Sequence, residues 1–330
     1  MTSTAPHQLD ALLPRLGELR AALAQAIVGQ AEVVEQLLIG LLAGGHCLLE
    51  GAPGLGKTLL VRSLGQALAL DFRRVQFTPD LMPGDIIGTE VLEEDPATGK
   101  RHFRFQQGPV FTHLLLADEL NRTPPKTQAA LLEAMGERTI SYAGSTHNLP
   151  KPFFVLATQN PIEQAGTYPL PEAQLDRFLL HVRVDYPSAA EEEQILASTT
   201  GSSQAEVPQV MDADALIALQ AATRQVHLGP DLLHWITQLV RATRPGEGAP
   251  ARINHWVQFG AGPRAGQSLV LAAKARALLQ GRLAVTRQDI SALAAPVLRH
   301  RLLLSFNAEA EQVNADAVVA ALLADVPHPR

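Results

Sequence analysis

Apolar residues recur at helical spacing along the first forty positions. Leu9, Leu12, Leu16, Leu19 and Leu23 fall on one face, and Val33, Val34, Leu37, Leu38 and Leu41 on a second. The interruption "IVGQ" (27–30) separates them, so the spacing predicts helix over residues 8–43 with a break there and an early kink at Pro14. The pattern then changes to short apolar runs. "HCLLE" (46–50) reads as a strand. "RRVQF" (73–77), "HLLLADE" (113–119) and "FFVLATQ" (153–159) read as strands buried on both faces, and "LLHVRV" (179–184) as the last of the series. Helical segments lie between them: one carrying Leu60, Leu64 and Leu68, one over 124–137 that opens on proline, and a short one over 170–178. This alternation predicts a parallel α/β sheet with helices on both faces.

Two segments break the alternation. Residues 90–105 look like two strands around a Pro-Ala-Thr-Gly turn, and 138–153 like a second hairpin; both would project from the sheet. After residue 187 strand signals thin out and apolar helical faces take over. The reading is an α/β domain over 1–187 and a smaller all-helical domain over 188–330. Within the latter, Thr286 and Asp289 of "TRQD" have the spacing of a capping box.

Composition narrows the class. Hydrophobic residues make up 46% and charged residues 18%, the balance of an ordinary globular protein. A formal charge of −6 disfavours a dedicated nucleic-acid binder. The single cysteine, Cys47, lies in an apolar run, which suits a buried thiol and a reducing cytoplasm. The N-terminus shows no secretory signal, and the apolar run Leu37–Leu49 is too short to span a bilayer, so a soluble, cytoplasmic protein is expected.

The chemistry concentrates at "GAPGLGKT" (51–58). A Gly-rich loop after a strand and before a helix turns backbone N–H groups onto phosphate oxygens, and the helix N-terminus adds positive potential. A chance match in a chain of this length has odds on the order of one in a hundred. The expected phosphate cradle is Gly51, Ala52, Pro53, Gly54, Leu55, Gly56, Lys57, Thr58 and Leu59. Lys57 supplies a cation to the outer phosphates, and Thr58 an oxygen ligand to Mg²⁺. Ligands of parallel sheets sit at the carboxyl ends of strands. That puts Asp118 near Thr58 as the second Mg²⁺ ligand, with Glu119 free to polarise the attacking water. Asn160 reads either as a turn residue before Pro161 or as a partner of that water or the γ-phosphate. Asp176–Arg177 reads on its own as a surface charge pair. "RHRL" (299–302) reads as a solvated helix face, "RHFRF" (101–105) as a hairpin with one wetted face, and Trp235 and Trp256 as packing residues. The histidines show no metal-ligand spacing.

The loop, "LLLADEL", "ATQNP" and "LPEAQLDRF" occur in the order of AAA+ ATPases, and "DELNR", "QAALLEAM" and "YPLPEAQLDRF" resemble the MoxR group of the helix-2 insert clade. The resemblance runs from about Ile27 to Phe306. It implies a P-loop AAA+ core with a five-stranded parallel sheet and a helical lid. By this resemblance Lys57 and Thr58 are Walker A, Asp118 and Glu119 are Walker B, and Asn160 is sensor 1. Arg177 is implied as an arginine finger reaching a neighbouring subunit's site, and Arg264 of "GAGPRAGQSL" as sensor 2. Val28, Gly29 and Gln30 are implied to lie against the adenine, and Gly262 stands where the family more often has serine.

The expected function is Mg²⁺-dependent ATP hydrolysis in a homo-oligomeric ring, six-membered by resemblance. The same resemblance implies a chaperone-like task, remodelling or maturing client protein complexes, metal cofactor insertion among them, with a partner carrying a von Willebrand factor A domain. Two alternatives come from other classes. One is a nucleic-acid-stimulated motor of the same clade, for which Lys100, Arg101 and Arg104 are offset by Glu93, Glu94 and Asp95. The other is a nucleotide-gated scaffold with little turnover, which the intact Asp118–Glu119 pair argues against.

Overall fold

The computed structural model describes residues 6–52, 54–94, 99–160, 166–199 and 206–329. The order of elements begins with α1 (Pro6–Ala26), α2 (Ala31–Ala43), β1 (Cys47–Gly51), α3 (Lys57–Ala67) and β2 (Phe72–Gln76). Next come α4 (Pro83–Ile87), β3 (Gly88–Glu94), β4 (Arg101–Gln107), β5 (Leu114–Asp118) and α5 (Pro125–Glu137). The first half closes with β6 (Thr139–Tyr142), β7 (Ser145–Asn148), β8 (Phe154–Gln159), α6 (Glu172–Leu175) and β9 (Leu180–Val184). The helical region comprises α7 (Ala189–Thr199), α8 (Ala213–Gln225), α9 (Pro230–Ala242), α10 (Ala251–Trp256), α11 (Pro263–Leu279), α12 (Arg287–Leu298), α13 (Phe306–Ala310) and α14 (Ala315–Asp325). It also carries β10 (Val257–Phe259) and β11 (Leu303–Leu304).

The five apolar runs form a five-stranded sheet in the order β2-β5-β8-β1-β9, parallel throughout. Strand β1 lies between β8 and β9, so the chain leaves it where the strand order reverses. That position opens a crevice at the carboxyl ends of the strands. The register sets Gln76 beside Asp118, and the one-residue continuation of the β5–β8 ladder brings Thr158 to the same level.

The sheet separates two cores. One face packs with α1, α2 and α3 and is continuous with the helical region, through Leu37, Leu41, Leu216, Leu219, Leu269 and Ala272 among others. Helix α2 packs directly on α8 and α11. The other face is closed by α5, with Leu131 and Met135 against Leu115, Val155, Phe77 and Phe178. Cys47 is fully buried in the first of these cores, and burial pushes its thiol pKa up, so it acts as a small hydrophobe.

The two hairpins stand outside the sheet and touch each other. In the first, β3 and β4 pair antiparallel from Gly88–Gln107 to Glu94–Arg101; of its predicted turn at 96–99, only Gly99 is among the described residues. The second turns at Ala143–Gly144, both at positive φ, as a two-residue hairpin loop requires. The Phe105 ring stacks on His147 at 4.3 Å, joining the hairpins.

Four expectations need correction. "RRVQF" does not form a strand buried on both faces: β2 is a sheet edge, and Arg73, Arg74 and Gln76 are exposed. The second domain is not purely helical, because β10 and β11 form a small antiparallel ribbon. "RHRL" is not a solvated helix face: residues 299–301 make a 3-10 turn in which His300 and Arg301 are buried. Asp176 pairs with Arg301 and Arg264 rather than forming an isolated surface pair with Arg177. The last two errors share a cause, since neither partner of Asp176 is near it in sequence. The capping box is present as predicted, with Thr286 N–H and Oγ1 each 2.8 Å from Asp289 Oδ2. Trp235 is buried, and Trp256 is partly buried with its indole N–H donating to Glu311 at 2.8 Å. Among the described residues, no helix is long and apolar enough to cross a membrane.

Candidate functional site

The loop after β1 turns through left-handed backbone at Gly54 (φ +85°) and Gly56 (φ +73°), a conformation that only glycine adopts without strain. Gly56 is also the N-cap of α3, so the helix begins at Lys57. Pro53 lies outside the described residues. Lys57 Nζ donates to Gly51 O at 2.6 Å across the loop. Burial draws the Lys57 pKa down, while Asp118, Glu119 and Glu50 pull it up.

Gly54, Gly56, Lys57, Thr58, Leu59, Asp118, Glu119 and Asn160 all line one cavity of about 240 Å³, with Arg74, Gln76 and Thr158. The residues expected to meet a phosphate chain therefore converge from the P-loop and from the ends of β5 and β8. Asn160 is buried in the cavity wall. An adjoining cavity of about 680 Å³ is mostly apolar. Val28, Gln30, Leu55, Leu59, Tyr186 and Ile195 contribute to its wall, and Gln30 Nε2 donates to Leu55 O at 2.8 Å. Gly29 is not in that wall; its Cα faces Glu191 of α7. Ala52, at the start of the loop, is buried.

The two acids differ in surroundings. Asp118 Oδ1 accepts the Thr158 hydroxyl at 2.6 Å, and Oδ2 accepts Arg74 Nη2 at 2.6 Å. Glu119 has a left-handed backbone (φ 56°, ψ 48°), an unusual conformation for a non-glycine residue that costs on the order of 1–3 kcal/mol. Its N–H donates to Thr158 Oγ1 at 2.9 Å and its carbonyl accepts the Arg122 N–H at 2.9 Å, which hold the turn. Glu119 Oε2 accepts Gln76 Nε2 at 2.6 Å and Arg122 Nη1 at 3.0 Å. The turn separates the two carboxylates, leaving Asp118 on its strand and swinging Glu119 aside.

Thr58 and Asp118 are hard oxygen donors that line the same cavity, a pair that suits Mg²⁺. Mg²⁺ typically takes one or two protein ligands and completes its shell with phosphate and water.

Two predicted residues lie elsewhere. Arg177 is exposed, outside the cavity, with Nη1 donating to Leu132 O at 2.9 Å and lying close to Gly136. Arg264, in the first turn of α11, is also outside the cavity, 3.4 Å from Asp176 Oδ2. Sequence reasoning missed Arg74, Gln76, Thr158 and Arg122. For Gln76 and Thr158 the available signal was strand register, since residues level with a strand-end acid on either neighbouring strand of a parallel sheet face the same crevice. Arg74, two residues before Gln76, shares its face of β2, and Arg122 lies three residues after Glu119 in a 3-10 turn.

Comparison with known proteins gives the family and the fold. The ATPase family associated with various cellular activities (AAA) matches residues 46–180, and the AAA lid domain matches 250–322. Chaperone MoxR1 of Mycobacterium tuberculosis is 44% identical over 307 residues, 92% of this chain and 80% of that protein. Protein MoxR of Paracoccus denitrificans is 36% identical, covering 96% of each. A crystal structure of a Cytophaga hutchinsonii protein described as an ATPase superimposes with a TM-score of 0.91 at 37% identity, covering 99% of this chain and 98% of that one. A homologue of MCM from Methanopyrus kandleri shares the fold alone, with a TM-score of 0.58 at 20% identity over 92% of this chain and 64% of that one.

Proposed function

The chain belongs to the MoxR family of AAA+ ATPases and hydrolyses ATP, and from that premise we propose that it works as a Mg²⁺-dependent ring whose active sites are shared between neighbouring subunits. The observation that carries this reading is a split among the candidate site residues. Lys57, Thr58, Asp118, Glu119 and Asn160 converge on one cavity, while Arg177 and Arg264 lie outside it.

In this reading the loop 51–59 holds the phosphates, and Lys57 neutralises the outer ones. The adjoining apolar cavity takes the base. Mg²⁺, held by Thr58 and Asp118, would offset charge on the phosphate oxygens. Glu119 orients the attacking water and receives its proton, and Asn160 fixes the water or the γ-phosphate. Arg177 of a neighbouring subunit stabilises charge as the bond breaks, worth roughly 10³–10⁵ in rate, so a lone protomer turns over slowly. Arg264, turned toward the segment of Arg177, acts on the same neighbouring nucleotide. The domains divide near Tyr186–Pro187, where a hinge would couple hydrolysis to lid motion.

The name Chaperone MoxR1 supports a chaperone-like task for this chain. The remodelling or maturing of client complexes, with a von Willebrand factor A domain protein as partner, is the finer part of the proposal and follows from the resemblance of the motifs alone. The exposed hairpin carries paired charges, with Arg101 3.2 Å from Glu94 and Arg104 3.3 Å from Glu93, which favours a protein client over nucleic acid.

The test is phosphate release from the assembled protein and from Glu119→Gln at equal nucleotide occupancy. A fall of about 10²–10⁴ is expected. Equal rates would favour a nucleotide-gated scaffold, and strong stimulation by single-stranded or duplex nucleic acid would favour the other motor class.

A further inference from the structure

The segment that carries Arg177 is held by an arginine from far along the chain. Arg301, in the 3-10 turn after α12, has a side chain only 2% exposed. Its Nε donates to Asp176 Oδ1 at 2.7 Å. Its Nη2 donates to Phe178 O at 2.7 Å, to Ser268 Oγ at 3.1 Å and to Asp176 O at 3.3 Å. Its Nη1 donates to Leu179 O at 3.4 Å and also to Val297 O. Arg301 therefore grips the backbone immediately before and after Arg177, together with the side chain of the preceding residue. The same guanidinium reaches α11 through Ser268 and α12 through Val297.

This arrangement is specific to arginine. The planar guanidinium presents five N–H donors in fixed directions, and here all three nitrogens are engaged. A lysine ammonium is compact and could not span Asp176, Phe178 and Ser268 together. Burying a charge is costly, and only a full set of partners offsets it. An arginine finger is correspondingly sensitive to placement, since a displacement of about 1 Å can cost on the order of 10²-fold in rate.

We propose that Arg301 is a positioning residue for Arg177, clamping the segment 176–179 that carries the finger. The proposal rests on the reading of Arg177 as the residue that completes a neighbour's site. In an Arg301→Gln subunit the nucleotide cavity of that subunit keeps every residue that lines it, but the finger it offers is misplaced.

The experiment is subunit mixing. Arg301→Gln alone should bind a fluorescent ATP analogue within about twofold of wild type, while kcat falls by roughly tenfold to a hundredfold. Mixing it with Glu119→Gln subunits should restore activity, because the Glu119→Gln neighbour supplies a correctly held Arg177 to an intact site. A merely structural defect in the Arg301→Gln subunit would not be rescued. Arg177→Ala mixed with Glu119→Gln is the control: failure of that pair overturns the reading of Arg177 itself. Rescue in the control without rescue of Arg301→Gln, or full kcat from Arg301→Gln alone, overturns the role of Arg301. Should Arg301→Gln fail to fold, Asp176→Asn, which weakens the Nε contact and keeps the backbone grips, is expected to show a smaller kcat loss with the same rescue on mixing. Unimpaired kcat, or no rescue, in that variant overturns the proposal.

Discussion

The Thr158 hydroxyl donates to Asp118 Oδ1 at 2.6 Å while the same oxygen accepts the Glu119 N–H at 2.9 Å. One side chain on β8 thus fixes both acids at the end of β5, and it supports the unusual backbone of Glu119. Residues that orient metal ligands typically account for 10–100-fold in activity. Thr158→Val keeps the shape and removes both hydrogen bonds. It is expected to lower kcat by about that factor, whereas Thr158→Ser should stay within severalfold of wild type. Steady-state ATPase rates decide this, and wild-type kcat in Thr158→Val would show that Glu119 is held by other means.

Arg74 holds the oxygen that Asp118 would offer to Mg²⁺ in the proposed mechanism. Its Nη2 lies 2.6 Å from Asp118 Oδ2, on an exposed sheet edge. The exposed pair is weak, worth about 0–1 kcal/mol, so Mg²⁺ with nucleotide should displace it. Arg74→Met is expected to shift the Mg²⁺ midpoint of the ATPase reaction about two- to fivefold lower, within the range of that pair energy. A shift to higher Mg²⁺ would mean that Arg74 serves the phosphates instead.

His46 should make the fold acid-sensitive. It is fully buried, accepting the Val155 N–H at Nδ1 (3.0 Å), with Nε2 3.2 Å from Met135 O. Burial lowers its pKa from 6.5 to about 4. Above pH 6.5 the imidazole is neutral in both folded and unfolded chains. Between 6.5 and about 4 the unfolded chain takes up the proton and the folded one does not, so stability falls with pH, by about 3 kcal/mol in all. Urea unfolding at pH 7, 5.5 and 4.5 measures the slope. His46→Asn should flatten it, leaving a residual slope from His300, whose pKa burial also lowers. An unchanged slope would exclude His46 as the source.

Asp289 locks the lid beside α2. Its side chain is fully buried, with Arg276 Nη1 at 2.9 Å and Arg282 Nη2 at 2.6 Å, and Arg276 Nε also reaches Glu35 at 3.1 Å. Burial works to raise its pKa, but hydrogen bonds from Arg282, Thr286 and Arg276 hold it below the usual carboxylate range. Asp289→Ala removes the N3 half of the capping box, takes away the carboxylate paired with Arg282 and leaves Arg276 with Glu35 alone, at an expected cost of about 3 kcal/mol. Asp289→Asn, which keeps an acceptor for the cap, should cost less. Chemical denaturation checks both, and a loss below about 1 kcal/mol in Asp289→Ala would show that the arginines find other partners.

Much of this protein is written locally. The apolar runs, the strand-helix alternation and the chemistry of "GAPGLGKT", "DEL" and "ATQN" depend on neighbours within a few residues, so periodicity and spacing exposed the sheet and the cavity-lining set Lys57, Thr58, Asp118, Glu119 and Asn160. The capping box at Thr286–Asp289 was legible for the same reason. Only the tertiary structure decided which strand is an edge, and hence that Arg74 and Gln76 reach the acids. It alone turned "RHRL" inward, because Arg301 is buried by partners more than a hundred residues away at Asp176, Phe178 and Leu179. A buried charge depends on acceptors that converge in space, and convergence across the chain leaves no periodic mark in the sequence.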